Sequence, residues 1–144
     1  MENYQWQTLL KLGNDCFHEK QFNGAESFYW QAYEMLSLAC QNEQLTLELL
    51  MAWICACHNL AALYEEFGNL ELSLKFLMVP HEYLLAVSES NALDDNTQLM
   101  AVKGMNITLS AILLFSNKYT ICEDCQSQFS SLSNIMTKKA SLVH

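Results

Sequence analysis

An all-α fold is what this sequence predicts, as three antiparallel helix hairpins with about six helices, and three observations carry that prediction. Apolar residues recur at helical spacing: Trp6, Leu9, Leu10, Leu12, Cys16 and Phe17 fall near i, i+3, i+4 and i+7. One proline and four glycines in 144 residues leave little room for a turn-rich β-sandwich. The polar connections are short, and a link such as 41–44 makes neighbouring helices antiparallel.

The first helix is expected over about 5–19, closed by the polar turn Lys20-Gln21. The second, about 23–40, turns Phe22, Ala25, Phe28, Tyr29, Ala32, Leu36 and Ala39 inward. The third, about 45–67, is apolar on nearly every side up to Leu63, and Gly68-Asn69 reads as its C-terminal cap. The fourth starts near Leu70 and meets Pro80. A proline there removes a hydrogen bond and crowds the preceding turn, so a kink, or a break and restart, is expected at Val79-Pro80. Helix then resumes to about Ser88. Asp94, Asp95 or Asn96 is expected to cap the fifth helix, which runs to about Phe115 and is weakened at Gly104. Ser116-Asn117 reads as a turn, a sixth helix as about 119–136, and the last residues as a frayed tail. The length suits one domain over 1–144, with hairpins at about 5–40, 45–88 and 95–136.

The net charge is −9, and all seven basic residues are lysines. That argues against nucleic acid, whose binders need basic patches and commonly use arginine, and against acidic membranes. No basic n-region opens the chain, and no unbroken apolar run reaches the ~18 residues of a membrane span. A soluble, cytoplasmic protein is expected. The six cysteines sit mostly in apolar helical patterns, where a reduced thiol behaves as a small hydrophobe.

Laying the three hairpin turns over one another aligns Leu12-Gly13, Leu60-Ala61 and Leu109-Ser110. The same register aligns Lys20 with Gly68 and Asn117, Phe22 with Leu70 and Tyr119, and Ala25 with Ser73 and Cys122. The first unit resembles the tetratricopeptide repeat through Leu12, Gly13, Phe22, Ala25, Tyr29 and Ala32, although Cys16 stands where that family has tyrosine. The second keeps Leu60, Ala61, Tyr64 and Gly68 but has Ser73 and Pro80 in place of small alanines; the third keeps Leu109, Ser110, Tyr119 and Cys122. The spacing exceeds the roughly 34 residues of a standard repeat, and the surplus lies in longer helices. The resemblance implies a right-handed array in which hairpins stack because none can bury its apolar face alone.

The resemblance also implies a concave groove lined by the first helix of each hairpin. Its peptide-binding positions correspond to Gln7, Leu10, Asn14, Phe17 and His18 in the first unit and to His58, Asn59, Glu65 and Glu66 in the second. Ile107, Leu114 and Phe115 would add apolar surface from the third. Asn14 and Asn59 fall where carboxylate-clamp members of the family hold a peptide backbone, and an amide both donates to and accepts from an extended chain. The basic residues that complete such a clamp are missing, with Leu10, Gly104 and Thr108 in their places. An acidic C-terminal peptide is therefore not the expected ligand.

His18, His58, Glu65 and Glu66 lack the paired helical spacing of a metal or acid–base site. Cys122 and Cys125 form a CxxC, but Cys55 and Cys57 fall on different helix faces and do not supply a second ligand pair. No nucleophile motif or phosphate loop is present. Neither enzymatic activity nor a catalytic residue, metal or cofactor is expected. The leading expectation is a scaffold that binds a protein or peptide or self-associates, as in a homodimer. One alternative is a repeat-type chaperone for secreted proteins, like the small acidic bacterial ones; another is a thiol or metal protein using Cys122 and Cys125.

Overall fold

The structure is a computed structural model that describes residues 5–42, 44–90 and 94–119. Among the described residues the chain is all-α, with five helices packed in consecutive pairs and no strand: α1 (Gln5–His18), α2 (Phe22–Asn42), α3 (Leu47–Glu66), α4 (Leu70–Glu89) and α5 (Asp95–Lys118). The sixth helix expected at 119–136 and the Cys122–Cys125 pair lie outside the described residues, apart from Tyr119, whose extended backbone ends α5. The chain divides into two compact units, Met1–Val79 and Pro80–His144.

In the first unit, α1 and α2 are joined by a tight closure. Lys20 takes a left-handed backbone at φ 61°, its N–H donates to the Phe17 carbonyl at 3.0 Å, and the Gln21 N–H donates to the Cys16 carbonyl at 2.8 Å. That is a Schellman motif, which satisfies carbonyls the helix leaves open. The turn after α3 repeats it: Gly68 has φ 77°, Gly68 N–H donates to Glu65 at 3.0 Å, and Asn69 N–H donates to Tyr64 at 2.9 Å. Asn69 Oδ1 then caps α4 by accepting from the Leu72 N–H.

Small residues let the helices approach. A Cβ on Gly13 would lie 2.5 Å from Cε1 of Tyr29. The inward stripe of α2 is realised by Ala25, Tyr29, Ala32 and Leu36, all buried. The all-round apolarity of α3 also has its predicted consequence, since ten of its residues are buried, Leu50 and Leu60 completely. Thr46, unremarked in the sequence, caps α3 by accepting from the Leu49 N–H at 3.1 Å.

Two local expectations need correction, and one is narrowed. Pro80 neither breaks nor restarts α4, which runs on to Glu89; its ring is buried, so burial offsets the lost hydrogen bond. Ser116-Asn117 is not a turn, because α5 continues to Lys118 and Ser116 Oγ donates back to the Leu113 carbonyl at 2.9 Å. Leu12 is 40% exposed rather than packed, since α1 buries only Gly13.

In the second unit, Asp94 caps α5 through the Thr97 N–H at 2.7 Å. Ala101, Gly104, Met105, Thr108, Ile112 and Phe115 are the buried face of α5. Gly104 and Phe115 are therefore packing residues rather than groove lining, whereas Ile107 and Leu114 are exposed. By length and composition α3 and α5 are each apolar enough to cross a membrane, although neither holds an unbroken apolar run of that length; α3 uses its apolarity as core.

Candidate functional site

Of the nine residues singled out in the sequence, the structure brings together one pair from different helices, and it sets the adjacent Phe17 and His18 rings edge-on at 6.2 Å. Asn14 on α1 and Asn59 on α3 meet, with Asn59 Nδ2 donating to Asn14 Oδ1 at 3.5 Å. Asn59 Nδ2 also donates to Cys55 Sγ, one helical turn back, at 3.8 Å. The same Asn14 oxygen accepts from the Tyr29 hydroxyl at 2.7 Å. Burial pushes the Tyr29 phenol up to about 12, with smaller contributions from the nearby Cys55 and Cys16 thiols. Tyr29 therefore stays protonated and able to donate at any physiological pH.

The remaining candidates differ in exposure. Gln7 and His18 are exposed and Leu10 is half-buried. Phe17 is half-buried and meets Phe22 edge-on at 5.5 Å between ring centroids, so part of its surface is committed to the α1–α2 turn. His58 is half-buried and its Nε2 has no hydrogen-bond partner; burial lowers its pKa, which keeps the ring neutral at pH 7. Glu65 is half-buried and Glu66 exposed. Among the described residues no three His, Cys, Asp or Glu side chains converge on a metal-sized point. Cys55 is exposed and Cys57 buried, so those two thiols do lie on different faces; burial raises both thiol pKa values, which disfavours a reactive thiolate.

Sequence reasoning missed a second polar network behind this face. The Tyr64 hydroxyl donates to Glu26 Oε2 at 2.6 Å and accepts from Trp30 Nε1 at 2.8 Å. Around it Trp30, Tyr33 and Phe76 meet edge-on at 5.3–5.4 Å, and Tyr64 stacks on Phe76 at 5.9 Å. The signal was present as Tyr64, read only as a repeat residue. Its hydroxyl partners lie 34 and 38 residues away, beyond any helical period.

A pair of side-chain amides with one phenol behind it can recognise groups that both donate and accept hydrogen bonds. It supplies no nucleophile and no strong acid or base. No curated protein and no solved structure matches the chain. A family model matches residues 4–142, nearly the whole length, so the chain belongs to the family DUF2753, described as "Protein of unknown function".

Proposed function

We propose that this protein is a non-enzymatic, tetratricopeptide-like scaffold that binds a protein or peptide across the α1–α3 face. The observation that carries the reading is the meeting of Asn14 and Asn59. Both were singled out because the repeat resemblance puts them where a bound backbone would lie, and they stand within hydrogen-bonding distance on two different helices. The matched Schellman closures at Lys20 and Gly68 support the repeat itself, since they fall 48 residues apart (68 − 20), the spacing at which the sequence units align. On this reading the hairpins form a right-handed array.

An immobilised library of blocked eight-residue peptides tests the reading. Wild-type protein should retain a subset of sequences, and Asn14→Ala/Asn59→Ala should weaken that subset about tenfold or more, as two lost hydrogen bonds imply. The reading fails when the wild type retains no sequence, or when the double variant retains the same subset equally well.

A further inference from the structure

We infer that the exposed face of α5 docks on the same face of a second copy of this chain, with the two helices antiparallel about a twofold axis between Asn106 and Ile107. The inference is independent of the peptide-binding reading, whose residues lie on α1, α2 and α3.

Positions four apart line up as ridges on a helix, and interlocking of such ridges is the commonest helix packing. α5 presents two of them to solvent. Asp95, Leu99, Lys103 and Ile107 form one, and Asn106, Ser110, Leu114 and Lys118 form the other; all are exposed. Leu99, Ile107 and Leu114 are large apolar residues left 40%, 44% and 67% exposed. The spacing of these positions is the same read from either end of α5. A twofold axis at the middle therefore sets each ridge against the other ridge of the second copy, as an isologous contact requires. Across the axis Leu99 meets Leu114, Lys103 meets Ser110, Ile107 meets Asn106 and Asp95 meets Lys118. Apolar residues meet, the long Lys103 stem crosses a small residue, and opposite charges meet at both ends. Lys118 also lies 5.8 Å over the Tyr119 ring, which holds its ammonium at that end of α5. The Ser110 hydroxyl already donates to the Asn106 carbonyl at 2.9 Å, so covering it strands no donor.

Charge favours this occupant. A net charge of −9 opposes self-association over most of the surface. α5 holds one acid, Asp95, and two lysines, Lys103 and Lys118, so the acidic excess lies elsewhere. A lipid surface is the poorer match, because Lys103, Asn106 and Ser110 stand in the middle of the exposed face. An unrelated partner would give no reason for the order to read alike in both directions. A face roughly 36 Å long and 10 Å wide falls short of the ~800 Å² per partner of a stable interface, so the dimer dissociates on dilution.

Sedimentation velocity of the full chain from about 1 µM to about 1 mM is the test, since weak specific pairs form in that span. The apparent mass should rise from one copy to two. Leu114→Asp should weaken the dimer about tenfold or more, with helix content unchanged by circular dichroism. Asp95→Lys and Lys118→Asp should each weaken it about two- to thirtyfold at low salt, and the double variant should recover most of that loss. A purely local role for these charges predicts the opposite, since both exchanges oppose the helix dipole and the double variant would be the worst. A wild type that stays monomeric overturns the inference, and its flotation with phosphatidylcholine vesicles would assign the face to lipid instead. A dimer that Leu114→Asp leaves intact overturns it too, as does a double charge exchange that pairs no more tightly than the single ones.

Discussion

Gly13→Ala tests the packing that positions the site. The new methyl would sit 2.5 and 2.6 Å from Cε1 and Cδ1 of Tyr29, whereas carbon pairs rest at about 3.5–4.0 Å. The ring must therefore retreat by roughly 1 Å. It has little room to do so, being 2% exposed on the α2 face that also buries Ala25, Ala32 and Leu36. Overpacking of this kind costs about 1–3 kcal/mol. Displacing the hydroxyl from Asn14 adds about 1 kcal/mol, and the better helix propensity of alanine returns about 1 kcal/mol. The net loss is about 1–3 kcal/mol, lowering Tm by about 2–4 °C for each kcal/mol. Urea unfolding at unchanged m-value measures it. Propensity alone predicts the opposite sign, so a Gly13→Ala protein as stable as wild type refutes the argument. In a Tyr29→Leu background the same change should be neutral or stabilising; an undiminished loss there would place the cause elsewhere.

Four further outcomes follow from single sites. Lys20 holds φ 61° without being glycine, so Lys20→Gly should raise stability by about 0.5–1 kcal/mol, while Gly68→Ala at φ 77° should lower it by about 1–2 kcal/mol; thermal melts of both variants decide, and a lowered Tm for Lys20→Gly would contradict the strain argument. Tyr64→Phe leaves the Trp30 indole N–H and the Glu26 carboxylate without the hydroxyl between them and should cost about 1–2 kcal/mol in urea unfolding, an unchanged midpoint showing that solvent replaces it fully. Buried His81 shares a 2.7 Å hydrogen bond with Thr108, whose hydroxyl is spent on the Met105 carbonyl, so Nδ1 carries a proton and donates. Burial lowers its pKa below the usual 6.5, the unfolded chain therefore binds more protons, and the stability His81 contributes is present above pH 6.5 and lost as pH falls through the lowered value; unfolding free energies from pH 7.5 to 5.5 should fall less steeply in His81→Asn, and equal slopes would exclude this histidine as the source.

The helices were legible because their physics is local. The apolar stripe of α2, the all-round apolarity of α3 and the glycine at 68 each follow from neighbours within a turn or two. The end of α5 was misread because serine and asparagine favour turns only when nothing better is offered, and there the Ser116 hydroxyl bonds back into the helix. Of the two outcomes expected at Pro80, a kink or a break, the break does not occur, because the cost of a proline is local whereas the burial that offsets it is tertiary. The resemblance put Asn14 and Asn59 on one groove but did not predict their contact, since 45 residues separate the two. The Tyr29 hydroxyl and the Tyr64 network were not legible at all, because each hydroxyl finds its partner across a helix–helix contact that no sequence spacing encodes.

The 48-residue register separates what builds the fold from what distinguishes the face. Positions that pack or close a turn keep their character under it: buried Gly13 corresponds to buried Ala61, buried Ala25 to buried Ser73, and Lys20 to Gly68 with the same closure. Even the Ser73 hydroxyl, the one polar departure among these, is absorbed by the Ala61 carbonyl at 2.7 Å. The polar cluster does not repeat. Tyr29 corresponds to Leu77, buried but without a hydroxyl; Asn14 corresponds to exposed Ala62; Asn59 corresponds to exposed Lys11. A polar group needed only for stacking would be needed at each hairpin, whereas among the described residues this cluster occurs in one place and joins all three of α1, α2 and α3. On the proposed repeat reading, the amides are thus an addition to the repeat rather than a part of it. That is why substitutions at Gly13 should be read out in stability and substitutions at Asn14 in binding.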